Sequence, residues 1–479
     1  MKKEKKKIFV IVGAVVACLA VVYVGFGIFF QSHFCFGTTI DGIKAGGKSV
    51  EKVEQLITEE IDSYVLNLAE REDGSESISG ESIQIAPVFN GEVEELLNGQ
   101  NGFAWVVTLF KHDNLELAKV VTFDEDALDS QIDQLNCMQA SEQREPVDAT
   151  VSAYTADGYS LVPADYGTTI DKNTFKKAVE DSILVLADEL DLDEADCYVK
   201  PEIEDDNEKL LAVIDEMNSY VGTTITYDFD VAKEVLDGER ISEWLSVDDD
   251  LNLVVDEEGV LSFVKELASE YNTCYKPKEL KTSYGSTVTI SNGPYGWKIN
   301  NSEEVAQILD DLKAGKKVER EPVYAQTANS HGENDYGNSY VEINLTAQHL
   351  FLYKDGVLVT ESDFVSGNVA KGHATPGGAF MLTYKTLNAV LRGPDYETPV
   401  TYWMPFNGDI GMHDLTSRKA FGGDIYKTRG SHGCINLPYS AAKKIYETID
   451  KGYCVLVYNL PGTESDTVKQ KEATAVVTT

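Results

Sequence analysis

The chain reads Gly430-Ser431-His432-Gly433-Cys434-Ile435-Asn436 near its C-terminus and Gly411-Met412-His413-Asp414 upstream. A thiolate is a strong nucleophile, but a free cysteine titrates at about 8.5 and needs help to ionise at neutral pH. A histidine distant in sequence and adjacent in the fold supplies that help. Small residues beside the sulfur let backbone amides face a developing oxyanion. These residue types describe acyl transfer through a thioester. Cys434 is the expected nucleophile and His413 the general acid/base, with the backbone of Gly433, His432 and Cys434 as candidate oxyanion hole. Ser431 and Asp414 are both candidates for orienting the imidazole, Ser431 by side chain or carbonyl, and the choice between them stays open. His432 is the poorer base, because its side chain would have to reverse to reach a sulfur two residues on. The common fate of a cysteine is a buried apolar site. Cys454, inside Tyr453-Cys454-Val455-Leu456-Val457-Tyr458, fits that fate; Cys434, in a polar turn flanked by glycine, does not.

The elements around these residues read as strands. Tyr340, Ile343 and Leu345, then the apolar runs 349–353 and 357–359 either side of Asp355-Gly356, give a hairpin signal. Further strands are expected at 378–384, 401–406, 409–413 and 452–458. Pro438-Tyr439-Ser440 opens a helix whose Ala442, Ile445, Tyr446 and Ile449 share a face. Cys434 then lies in a loop before that helix, in a β-rich, sandwich-like domain. Tyr402 and Trp403, on the strand before His413, are expected to wall a substrate pocket with Asn436, and Asn436 also suits anchoring of the loop. Thr375-Pro376-Gly377-Gly378 reads as a turn.

His413, seventeen residues, then Ser431-His432-Gly433-Cys434-Ile435-Asn436 resembles the signature of the L,D-transpeptidases with a YkuD-type catalytic domain. The resemblance spans residues 338–460. It implies a cell-wall enzyme that cross-links peptidoglycan stem peptides through a cysteine acyl-enzyme, and inactivation by carbapenem-type β-lactams. The same thiol and histidine would also serve a peptidoglycan L,D-carboxypeptidase or endopeptidase. A wall-binding protein without catalysis is the third reading, and the intact Cys434 and His413 speak against it. No cofactor is expected. No metal is expected either, since Cys434, His432 and His413 lack the paired ligand spacing of structural zinc.

The rest of the 479-residue chain is too long for one domain. Lysines at 2, 3, 5, 6 and 7 precede an uncharged apolar run over residues 8–30, long enough for a hydrocarbon core of about 30 Å. The expectation is a cytoplasmic tail (1–7) and a single transmembrane helix (8–30), with all that follows extracytoplasmic and facing the cell wall. A cleaved signal peptide is the rival, though Gln31-Ser32-His33-Phe34-Cys35 offers no small-residue cleavage site. An internal repeat follows. Val121-Thr122-Phe123-Asp124 and a helical run are echoed by Val254-Val255-Asp256 and another. Asp165-Tyr166-Gly167-Thr168-Thr169-Ile170-Asp171 is echoed by Pro294-Tyr295-Gly296-Trp297-Lys298-Ile299-Asn300. Two α+β units are expected, at 36–205 and 206–324, resembling the candidate peptidoglycan-binding repeats of membrane-anchored L,D-transpeptidases; a spacer role is equally open. A linker (325–337) and a disordered tail (461–479) complete the expected multidomain plan. The acidic run 188–196 reads as a solvated helix face. A net charge of −39 excludes a nucleic-acid partner, whose binders carry a basic footprint.

Overall fold

The computed structural model describes residues 2–117, 120–331, 334–393 and 396–464; Met1 and most of the expected tail lie outside them. The chain divides into two compact units, residues 1–152 with 161–207, and 153–160 with 208–479.

The first unit opens with the helix Lys2–Phe29, which takes in the lysines as well as the apolar run. From Glu4 to Phe29 it is long and apolar enough to cross a membrane. Next comes the helix Val50–Asp62, where Ser49 caps the first turn by accepting from the Lys52 amide and Val53, Ile57 and Ile61 are buried at helical spacing. Strands Val65–Ala69 and Ser75–Ser79 form a hairpin, and Glu189–Asp191 joins it parallel to the first strand. This corrects the helical reading of the acidic run. Glu189-Leu190-Asp191-Leu192 alternates with period two, so both leucines enter the core while the carboxylates stay outside.

The second unit begins with the same plan. Strands Thr224–Asp228 and Lys233–Leu236 form a hairpin, and Lys317–Arg320 returns parallel to the first strand. In each unit the stretch between the hairpin and the returning strand holds a matching pair of helices with side-chain caps. Asp124 caps Glu125–Ile132 and Asp171 caps Lys172–Leu184. Asp256 caps Glu257–Tyr271 and Asn300 caps Asn301–Lys313. The repeat seen in the sequence is therefore a repeat of topology.

The segment expected as a linker is packed. Tyr324–Gln326 pairs antiparallel with Lys298–Ile299. Asp335 is buried and ion-paired at 2.5 Å to Lys278, itself buried on the hairpin Lys278–Lys281/Thr287–Ile290. The hydroxyl of Thr273 also donates to Asp335, at 2.6 Å. Leu280, Ile290, Tyr295 and Tyr336 bury a shared cluster with Ala379, Cys454, Leu456 and Tyr458 of the following domain. A polar composition misled the reading because its polar groups bond to one another and to backbone rather than to solvent.

That domain is a two-sheet sandwich. We label its strands β1 (Tyr340–Asn344), β2 (His349–Lys354), β3 (Val357–Asp363), β4 (Gly378–Met381), β5 (Thr386–Gly393), β6 (Tyr396–Asn407), β7 (Ile410–Asp414), β8 (Ile435–Leu437) and β9 (Cys454–Tyr458). One sheet runs β3-β2-β1-β9-β4 and the other β5-β6-β7-β8. Val341, Ile343, Leu350, Leu352, Val455 and Val457 meet Met404, Met412, Ile435 and Leu437 in the core, closed by Ala442 and Ile445 of helix α1 (Tyr439–Thr448). The chain connection between β7 and β8 holds the Cys434 turn. Because β7 and β8 pair in parallel, Met412 lies opposite Ile435 and His413 opposite Asn436. On the other side of β7, Trp403 lies opposite His413.

Candidate active site

Alternation along these strands sorts the side chains. Met412, Met404, Ile435 and Leu437 point into the sandwich. His413, Trp403 and Asn436 therefore share the opposite face. His413 is buried, and its Nδ1 lies 2.8 Å from the main-chain oxygen of Asp414. A carbonyl only accepts, so Nδ1 carries the proton and Nε2 keeps its lone pair. Burial lowers the imidazole pKa below the ordinary histidine value, while the Asp414 carbonyl and the neighbouring Asn436 carboxamide push it back up. At neutral pH the ring is neutral, in the tautomer a general base needs.

Asp414 thus orients the ring through its backbone. Its carboxylate has a different task, accepting from the amides of Thr401 at 2.8 Å and Tyr402 at 2.7 Å. Ser431, the other candidate orienter, is engaged elsewhere. Its hydroxyl donates to the Cys434 carbonyl at 2.6 Å and accepts from the Gly433 amide at 3.0 Å. Its main-chain oxygen accepts from Asn368.

The Cys434 turn is braced from several directions. Thr375 donates to the Gly433 carbonyl at 2.6 Å and accepts from the Gly367 amide, so the residue expected only in a turn anchors the Cys434 loop. Val365 and Asn436 exchange backbone hydrogen bonds. Gly433 has φ +127°, a region that suits glycine, and a side chain there would press on Ile410. Gly411 is required for space: a Cβ would lie 2.7 Å from the Met404 carbonyl and the Trp403 ring.

Cys434 is half-buried, and its thiol donates to the Asp409 carbonyl at 3.5 Å. Burial raises its pKa and the Gly411 amide partly offsets this, so the resting sulfur is a neutral thiol. Cys434, His413, His432, Ser431 and Asn436 line one cavity of about 200 Å³. Besides Gly430, its remaining wall is Leu391 and Thr398, facing residues of the β5–β6 hairpin, with Leu415 and Arg418 after β7. None of these four was singled out in the sequence.

Three sequence expectations need correction. Tyr402 faces the core: it is buried, its hydroxyl lies 3.3 Å from that of Tyr439, and its ring packs on Tyr446. Trp403 is on the site face, 5.9 Å from the His413 ring between centroids, but is held by its indole N–H donating to Tyr384 and does not line the cavity. The Gly433 amide is occupied by Ser431, which removes it from the oxyanion-hole candidates. Asn436 does line the cavity, with Oδ1 buried and lacking a hydrogen-bond partner. His432 is exposed, with its ring tilted against that of His373 at 4.8 Å between centroids.

A turn-held thiol and a buried imidazole of fixed tautomer in one cavity define a cysteine-dependent acyl-transfer enzyme. Comparisons with known proteins narrow the class. A family model described as "L,D-transpeptidase catalytic domain" matches residues 338–457, and one described as "Putative peptidoglycan binding domain" matches residues 206–320. None of the curated proteins matches. Among solved structures, a cysteine-to-serine mutant of the Enterococcus faecium L,D-transpeptidase is 32% identical, over 51% of this chain and 99% of that one, with a TM-score of 0.43. The carbamoyl enzyme of Ldtfm with avibactam is 33% identical, over 52% of this chain and 98% of that one, at a TM-score of 0.44. The E. faecium catalytic domain acylated by ertapenem is 43% identical, over 25% and 97%, at 0.24. The chain belongs to the L,D-transpeptidases, enzymes of peptidoglycan cross-linking in the cell wall.

Proposed function

We propose that this chain is a membrane-anchored L,D-transpeptidase that joins peptidoglycan stem peptides through an acyl-enzyme on Cys434. The observation that carries the mechanism is the hydrogen bond from His413 Nδ1 to the Asp414 carbonyl, which leaves Nε2 as base. The thiol proton passes to Nε2 as sulfur attacks the donor carbonyl. The tetrahedral oxyanion is held by the Cys434 amide. Collapse expels the terminal D-amino acid, whose amine takes the proton from Nε2. An acceptor amine then attacks the thioester, gives its proton to His413, and the thiol is restored. Asn436, with its Oδ1 buried and without a partner beside the ring, favours the imidazolium that forms. Mass spectrometry of muropeptides incubated with the full-length enzyme tests this. Cross-linked dimers lacking the donor's terminal residue are expected; trimmed monomers alone would mean hydrolysis and sink the transpeptidase reading.

The second repeat, and the first by its shared topology, would hold the glycan-peptide mesh near the site. Carbapenems are expected to acylate Cys434, a reading supported by the ertapenem adduct of the 43% identical relative. Retention of the N-terminal helix is favoured by how its end packs. The Tyr23 hydroxyl donates to the Phe103 carbonyl at 2.8 Å, the Trp105 indole donates to Tyr23, and Phe30 and Phe34 are buried. Protease added to wall-stripped cells should digest the Cys434 domain and spare a short fragment containing residues 8–30. Release of a processed protein into the medium would overturn the anchor.

A further inference from the structure

Arg418 stands out in the cavity of Cys434. Its Nη2 donates to the Arg429 carbonyl at 3.0 Å, which fixes the guanidinium plane. Its Nε is buried and lacks an acceptor. A buried donor left unmatched is uncommon and marks a place where a ligand atom completes the bonding. Among the described residues no carboxylate pairs with Arg418 or Arg429, although the chain carries 80 acidic residues against 41 basic ones. Burial and the Arg429 guanidinium both disfavour its protonated form. A second groove, lined by Ser417, Lys419, Ala420, Ile425 and Arg429, shares Arg418 and Leu415 with the first. Arg418 thus brings a guanidinium with no carboxylate partner among the described residues to the cavity of the thiol.

We infer that Arg418 is an anion subsite for the carboxylate of the donor peptide's departing terminal residue, set by Nε and the adjacent amino group of one guanidinium edge. This rests on the donor reading of the site given above. The residue that leaves carries its free carboxylate one residue past the scissile carbonyl. When that carbonyl reaches Cys434, the carboxylate must lie within the same small cavity or at its mouth. Arg418 is the cation that lines that cavity, and guanidinium edges bind carboxylates in a planar, two-point fashion that an ammonium lacks. The subsite gives the enzyme a measure of chain end: a donor with an extra residue, or with its end neutralised, leaves the guanidinium unmatched.

The test uses full-length protein in detergent micelles and soluble disaccharide-peptide donors, with acyl-enzyme followed by intact mass. One donor has a free terminal carboxylate, a second has that carboxylate amidated, and a third keeps it but has a side-chain carboxylate amidated. The free donor should acylate about 10- to 100-fold faster than the terminal amide, the range of a charge-assisted hydrogen bond, and match the third donor. Arg418→Gln should slow the free donor by that factor and leave the terminal amide unchanged, with Arg418→Lys between. Equal wild-type rates with free and terminally amidated donors overturn the subsite while Cys434 acylation stands. Slowing by side-chain amidation alone, or Arg418→Gln slowing all donors alike, also overturns it. No acylation of wild type by any donor would overturn the donor reading itself. The wild-type comparison needs no variant, so it decides the question even if Arg418→Gln fails to fold.

Discussion

The Cys434 turn and the β5–β6 hairpin meet at one cavity and are held in opposite ways. In the turn, Ser431, Gly433 and Cys434 are tied by hydroxyl-to-backbone bonds, with Thr375 and Asn368 bracing from outside. In the hairpin, the strands stand on their backbone ladder, with Leu387 and Val390 exposed and an exposed Arg392–Glu397 pair near the tip. One region holds the proposed nucleophile; the other supplies wall to the cavity. A scaffold that over-determines the nucleophile can leave the neighbouring wall free to adapt.

Four measurements, in falling order of expected effect, would break or sharpen that contrast. Wild type treated with ertapenem should show an adduct by intact mass and Cys434→Ala none, with the melting curve unchanged, since a half-exposed thiol contributes little packing. An adduct that survives moves the nucleophile elsewhere. His413→Gln should slow acylation by about 10²- to 10⁴-fold, the span of general-base effects, and His432→Ala much less; the reverse order would place the base on the exposed ring. Ser431→Ala removes the shared hydroxyl and leaves the Gly433 amide and Cys434 carbonyl unmatched, at about 1 kcal/mol. Acylation should slow about tenfold, with faster amide exchange confined to the turn. If exchange stays unchanged, the turn is held by other means. Leu391→Ala should alter donor KM by less than about tenfold with kcat and Tm unchanged; a fall in kcat alone would make the hairpin part of the fixed machinery.

The acid side of the stability curve tests the buried imidazole separately. Because burial depresses the folded pKa of His413, the unfolded chain binds its proton first as pH falls below about 6.5. Stability from the neutral ring is complete above that value and declines from there down to the folded pKa. Denaturant titrations should show His413→Gln losing less stability than wild type across that window. Parallel curves would mean that the ring is not buried in solution.

What was legible in the sequence follows the same division. Cys434 and His413 were visible because their chemistry and glycine setting are local. Asp414 was visible as a residue but not in its role, because a main-chain oxygen leaves no mark on side-chain identity. Tyr402 and Trp403 were read together as pocket wall, although neighbours on a strand face opposite ways; anchoring the period on His413 would have kept Trp403 on the site face and released Tyr402 to the core. Leu391, Thr398 and Arg418 were missed because they depend on the register of a long hairpin and on the path of an irregular loop. Gly393-Pro394-Asp395, a turn signal between two apolar-polar runs, was the available clue. The acidic segment 188–196 was misread for the converse reason: its charge drew more notice than the two leucines that set its period.

The buried pair between Lys278 and Asp335 carries a mechanical consequence. With the hairpin Lys278–Lys281/Thr287–Ile290 ion-paired to Asp335 and sharing an apolar cluster with β9, a pull on the second repeat or on the sandwich is felt by both, as in a single cooperative body rather than beads on a string. Cutting the chain where the catalytic match begins would leave the Leu456 and Tyr458 side of the sheet bare.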